Sequence, residues 1–66
     1  MNIKGLSTNG LTLLHTTIAK ALAEDDALPA NAKKYGVREY PDWRQQADAM
    51  EHELANRQEA YTPIAW

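Results

Sequence analysis

At 66 residues the chain makes one small domain at most, and so short a chain buries too small a share of its surface to build a large core. It has no cysteine, which excludes disulfides and thiolate metal sites and leaves packing or a partner to supply stability. A formal net charge of −2, with seven Lys and Arg against nine Asp and Glu, lacks the strong basic excess of a nucleic-acid-binding domain.

The opening "MNIKGLSTNG" is polar and glycine-punctuated, and residues 1–8 read as an N-terminal arm. It lacks the charged-then-apolar order of a secretion signal. Ser7, Thr8 and Asn9 are all good helix caps, because their side-chain oxygens accept a free backbone N–H. A first helix is expected from about Asn9 or Gly10 to about Ala27. At about 100° per residue, Leu11, Leu14, His15, Ile18 and Leu22 share one face, with Ala21 at its edge. Leu13 lies on the opposite side. Pro29 stops the helix by disfavouring helical geometry at Leu28. Glu24, Asp25 and Asp26 oppose the macrodipole at this end, so it is expected to fray.

Residues 25–34 read as a linker between two helices. Tyr35, Val37 and Glu39 then share one side of an extended segment, read as a short strand that Gly36 weakens. In "PDWRQQADAMEHELANRQ", Asp42 followed three residues later by Gln45 has the pattern of a capping box. Trp43, Ala47, Met50, Leu54 and the stem of Arg57 cover an arc of about 80° on a second helix. Glu53 and Arg57 stand four apart in the favourable order. The closing "EAYTPIAW" favours extended structure, and Pro63 confines it to an edge strand or a tail. The expected fold class is therefore α+β: two amphipathic helices with short extended segments or edge strands, in the order helix, strand, helix, strand. Paired strands would flank the second helix as a β-α-β unit; unpaired, the tail would lie across the helices. Leu11, Leu14, Ile18, Leu22, Trp43, Ala47, Met50, Leu54 and Trp66 form the candidate core. Trp66 is expected to be buried against Trp43, Met50 and Leu54, because few residues separate it from the second helix.

Few side chains form a catalytic pattern. "HELAN", His52 to Asn56, matches the first two positions of H-E-x-x-H, but Asn56 stands where the second imidazole should hold zinc. His52 falls opposite the apolar seam and should face water. His15, at the edge of the first helix's apolar face, reads as a hydrogen-bonded, partly buried histidine. Asp48, Glu51 and Glu53 read as a solubilising face. Ser7 is the only serine, and the three glycines are too scattered to cradle phosphate. The reading is a protein without enzymatic activity, metal or cofactor.

Contact with another molecule is the more natural role. The five aromatic residues, Tyr35, Tyr40, Trp43, Tyr61 and Trp66, all lie in the second half, and Trp and Tyr are enriched at interface hot spots. Leu13, Tyr35, Arg38, Tyr40, Arg44 and Tyr61 are the candidate partner contacts, reaching either another protein or a second copy. Lys33, Lys34, Arg38 and Arg44 crowd four of the seven bases into one stretch behind the acidic residues 24–26. That stretch, 33–44, is the alternative site, for nucleic acid or a host factor. Stacking on single strands would need a basic groove as well, and the overall charge argues against it. No stretch approaches the roughly 20 apolar residues that span a bilayer.

"YGVREYPDWRQQAD" together with the "YTPIAW" ending resembles small proteins encoded in bacteriophages and prophages. The resemblance covers about half of the chain and contains no catalytic motif. It implies a virion part, an assembly accessory or an inhibitor of a host factor. The setting it implies is the cytoplasm of a bacterial host, or the virion. No functional residue transfers with it.

Overall fold

Ser7 starts the first helix. In the computed structural model, which describes residues 2–66, helix α1 spans Thr8–Asp26. The Ser7 hydroxyl accepts the Gly10 N–H at 3.0 Å, satisfying one of the donors a helix start leaves free. Leu6 precedes the cap and Leu11 follows it by four residues, the spacing of a hydrophobic staple. Leu6 packs on the core and Leu11 is fully buried. Helix α2 spans Pro41–Asn56. Two single 3₁₀ turns, Ile3–Gly5 and Ala30–Ala32, complete the regular structure.

The helices form an antiparallel hairpin. Arg57, just past the end of α2, reaches back to the start of α1: its guanidinium donates to Glu53 at 2.8 Å, to the Thr8 hydroxyl at 3.2 Å and to the Lys4 carbonyl at 3.1 Å. The α2 seam of Ala47, Met50 and Leu54 meets Leu11, Ile18, Ala21 and Leu22 of α1, with Val37 and Ile64 closing the core. Fully burying one such Leu or Met side chain contributes about 1.5–3 kcal/mol. Leu14, Trp43 and Trp66 pack against this core from half-buried positions. The Cα radius of gyration is 12.4 Å, against about 11 Å for a compact domain of this length. One layer of two helices has no second layer to round it off.

The α+β expectation is corrected: among the described residues there is no strand and no sheet. The segment expected as the first strand turns instead, because the main-chain N–H groups of Lys34, Tyr35 and Val37 donate to the Asp25 carboxylate rather than to a neighbouring chain. Gly36 turns the chain at φ +69°, a left-handed conformation that ends any strand. The second expected strand, 60–66, is an extended tail along the hairpin. One of its N–H groups, that of Ile64, bonds a side chain, the Glu51 carboxylate at 3.1 Å, and Pro63 has none to offer. Trp66 is half-buried, and the residue the tail buries is Ile64. The Asp42–Gln45 capping box does not form. Tyr40 is the cap, without a side-chain bond, and Pro41 takes the first helical position, where its missing N–H costs nothing. Asp42 still sits in the first turn, where its charge suits the positive helix end.

Two positive-φ positions give a matched prediction. Gln58, at φ +60°, closes α2 in a Schellman turn, with Gln58 N–H donating to Ala55 O and Glu59 N–H to Leu54 O, both at 3.0 Å. A non-glycine residue there carries strain of about 1–2 kcal/mol, partly offset by the extra freedom glycine has when unfolded. Gln58→Gly is expected to raise the thermal midpoint by a few degrees. Gly36→Ala is expected to lower it, since the added Cβ would stand 2.6 Å from the Tyr40 ring at a disfavoured φ. Thermal melts followed by circular dichroism check both signs.

Candidate protein-contact site

The loop that presents Tyr35, Arg38 and Tyr40, half of the candidate contact residues, is organised by one acid. Asp25 lies in the last turn of α1 and is 1% exposed. Its Oδ1 accepts the N–H groups of Lys34 and Tyr35, each at 3.0 Å, and its Oδ2 that of Val37 at 2.9 Å. Burial opposes its ionisation most strongly, yet the main-chain groups of Val37, Tyr35, Lys34 and Gly36 together hold its pKa below the ordinary 3.8. Lys33 Nζ donates to the Asp25 carbonyl, one of the acceptors a helix end leaves free. Beside it, Arg38 grips Asp26 with two bonds, at 2.9 and 3.0 Å. The Arg38 hydrogen bond holds the Asp26 carboxyl below its ordinary range. The α1 end expected to fray is thus tied on three sides.

These bonds decide what the candidate contact residues can still do. Arg38 is committed to Asp26 and also donates to the Trp66 carbonyl. Arg44 lies over the Trp66 ring, 5.5 Å from its centre. Tyr35 donates its hydroxyl to Glu24 at 2.9 Å and tilts its ring against Trp43 at 6.2 Å. Tyr61 meets the His15 ring edge-on at 6.0 Å. Leu13, 67% exposed, and Tyr40, 63% exposed, keep most of their surface in water. The structure therefore gathers Tyr35, Arg38, Tyr40 and Arg44 around the start of α2 and leaves Leu13 on the outer face of α1.

The residues weighed for catalysis are dispersed. His52 is exposed, and Glu53 gives its carboxylate to Arg57. Glu51, expected on a solvated face, turns inward: His15 Nε2 and Glu51 Oε2 pair at 2.8 Å, and the same oxygen accepts the Ile64 N–H. This link joins both helices and the tail. The partners are 36 residues apart in sequence, a separation that no local pattern reveals. Among the described residues no three His, Cys, Asp or Glu side chains cluster to hold a metal. Among the described residues no helix is long and apolar enough to cross a membrane.

The hairpin has two long grooves. The tail runs along one, passing Thr12, Thr16, Ala19 and Ala23 of α1. On the opposite flank Ile3 and Lys4 of the arm lie by Ala49 and Glu53, over the end of α2. Further up that flank a groove of about 270 Å³ stays open, lined by Leu14, Thr17, Ile18, Trp43, Gln46 and Met50, with Asp42 at its edge. Thr17 turns its hydroxyl to the Leu13 carbonyl at 2.9 Å, which spends its hydrogen on the helix. The Gln46 side-chain oxygen is buried and accepts no hydrogen bond among the described residues. A buried acceptor left unpaired typically costs about 1–3 kcal/mol. Sequence reasoning placed Trp43 in the core, and it is the half-buried wall of this groove instead. Compared with protein-family models, curated proteins and solved structures, the chain finds no match.

The Asp25 anchor carries a prediction with a definite pH sign. Asp25 and Asp26 are both held below the ordinary 3.8. The stability they contribute is therefore complete above that range and drains away as the pH falls through the lower native values. Asp25→Asn keeps the shape but can offer only one accepting oxygen to three donors. It is expected to lower the melting midpoint clearly at neutral pH and to flatten the fall of the midpoint below pH 3.8. Melting curves over an acid series check it; superimposable curves for the two proteins would refute the anchor.

Proposed function

We propose that the chain is a non-enzymatic contact module that receives the apolar face of a partner protein's helix in the open groove between α1 and α2. The observation that carries this reading is the groove itself: Leu14, Ile18, Trp43 and Met50 line a mostly apolar stretch between the two helices that stays open among the described residues. Two helices with a shared apolar flank reach a stable layer when a third element packs on them. At about 270 Å³ the groove is slightly smaller than the usual small-molecule site of roughly 300–1,000 Å³, and suits large side chains projecting from a helix. Its polar features specify the visitor further. Gln46 needs a donor, and Asp42 at the edge has no ion-pair partner among the described residues. The matching face is apolar with a basic flank. A small module of this kind fits the resemblance to phage-encoded proteins, as a virion component or assembly accessory.

The alternative, nucleic-acid binding by residues 33–44, has less support. Lys33 and Arg38 are engaged by Asp25 and Asp26, and Arg44 lies on Trp66. Phosphate contacts would have to compete with these partners.

The test uses two synthetic amphipathic helices about four turns long, identical in their Leu face but flanked by Lys in one and by Glu in the other. The Lys peptide is expected to shift the Trp43 indole and the Leu14 and Ile18 methyl resonances. Thr17→Arg, at an exposed helix position, should abolish the shifts and leave the melt unchanged. Absence of groove shifts with either peptide, or equal binding of the Glu control, would contradict the proposal. Shifts that grow with protein concentration alone would identify a second copy as the occupant.

A further inference from the structure

The tail groove is a separate site from the open one, and it already holds an extended peptide: the chain's own residues 60–66. The peptide is held at few points. Ile64 is buried, at 9% exposure. Its N–H donates to Glu51 Oε2, which is itself oriented by His15 at 2.8 Å. Arg38 donates to the Trp66 carbonyl, and Arg44 covers the Trp66 ring. Among the described residues no other main-chain N–H of segment 60–66 finds an acceptor. This is the economy of a peptide-recognition site, with one aliphatic anchor, one aromatic anchor two residues on, and a fixed acceptor for the N–H of the first. Beside the tail a groove of about 530 Å³ stays open along Thr12, Thr16, Ala19 and Ala23 of α1, so the tail does not fill the space it runs in.

The hinge that feeds the tail into this groove is strained. Gln58 holds φ +60° in the turn immediately before it, at a cost of about 1–2 kcal/mol that an open hinge would not carry. A strained hinge beside a segment held at few points is the arrangement that favours exchange of that segment between copies. We propose that the tail groove is a binding site for an extended peptide of the form Ile-x-Trp, and that its occupant in trans is residues 60–66 of a second copy, so that two chains exchange tails. Each groove then keeps the tail contacts it has in the monomer, while the hinge sheds its strain and exchanges the Gln58 and Glu59 N–H bonds for water. In the monomer the short tether favours closure, because it holds the tail at a millimolar effective concentration. Exchange therefore grows with protein concentration.

The absence of cysteine makes the test clean. A copy carrying Ala65→Cys with a nitroxide, at an exposed position, is mixed with an equal amount of unmodified isotope-labelled chain. The proposal expects concentration-dependent broadening of the Thr16, Ala19 and Ala23 amides of the labelled copy. Gln58→Pro cannot adopt a positive φ and is expected to lower the dimer dissociation constant in sedimentation on the order of tenfold, the equivalent of about 1.4 kcal/mol. Gln58→Gly should raise it. The mixing experiment stands on its own should the proline variant fold poorly. No intermolecular broadening at any concentration overturns the proposal. So does a monomeric Gln58→Pro chain with a melted tail, or a dimer whose broadening falls on Trp43 and Thr17, which would place the second copy in the open groove instead.

Discussion

The fold hangs on a single carboxylate. Asp25 is the point at which α1 ends and the loop to α2 is shaped, because three closely spaced demands for a hydrogen-bond acceptor, from Lys34, Tyr35 and Val37, are met there together. Buried N–H groups must find partners, and in a hairpin without a sheet they have no ladder to turn to. Meeting them at Asp25 puts Val37 into the core at 1% exposure. It requires the left-handed turn at Gly36, whose carbonyl accepts the Tyr40 N–H at 3.0 Å and so carries the chain into α2. The burial of the charge opposes all this, and only the number of donors makes it favourable.

The same region sets what the surface can offer. Residues 24–26 and 33–38 are adjacent in the fold and bond one another: the Tyr35 hydroxyl with Glu24, Lys33 with the Asp25 carbonyl, and Arg38 with Asp26 in the one ion pair between them. Charges spent in this way steer partners weakly, and exposed pairs of this kind contribute little stability. Contact capacity passes to apolar surface. The hairpin has two flanks, of which one carries its own tail and the other is open around Trp43.

The helices were legible because their apolar residues recur at helical spacing over about two to three turns. Leu11, Ile18 and Leu22 on α1, and Ala47, Met50 and Leu54 on α2, are buried as that spacing requires. The strands were misread because Tyr35-x-Val37 and Tyr61-x-x-Ile64 are short, and alternation over three or four residues does not separate a strand from an extended loop. What decided between them was an acceptor ten residues away, which no local window contains. An Asp in a helix's final turn, followed by a glycine that can turn the chain back, was the one available cue. The His15–Glu51–Ile64 link and the left-handed Gln58 had no cue: the first joins distant residues, and the second places a residue with no preference for its conformation. Trp66 was over-weighted by size. The smaller Ile64 occupies the buried register, and Trp66 lies half-exposed under Arg44.

Amide hydrogen exchange at Lys34, Tyr35 and Val37 tests the Asp25 anchor most directly, because it reads those three bonds one by one. A loop with no secondary structure exchanges near the unprotected rate, whereas bonds that break only when the fold opens exchange with core protection. The Asp25 account predicts that the Tyr35 and Val37 amides are protected to the same degree as the central amides of α1, with Glu39 and Asn31 unprotected beside them. Exchange of Tyr35 and Val37 at the rate of Asn31 would contradict it.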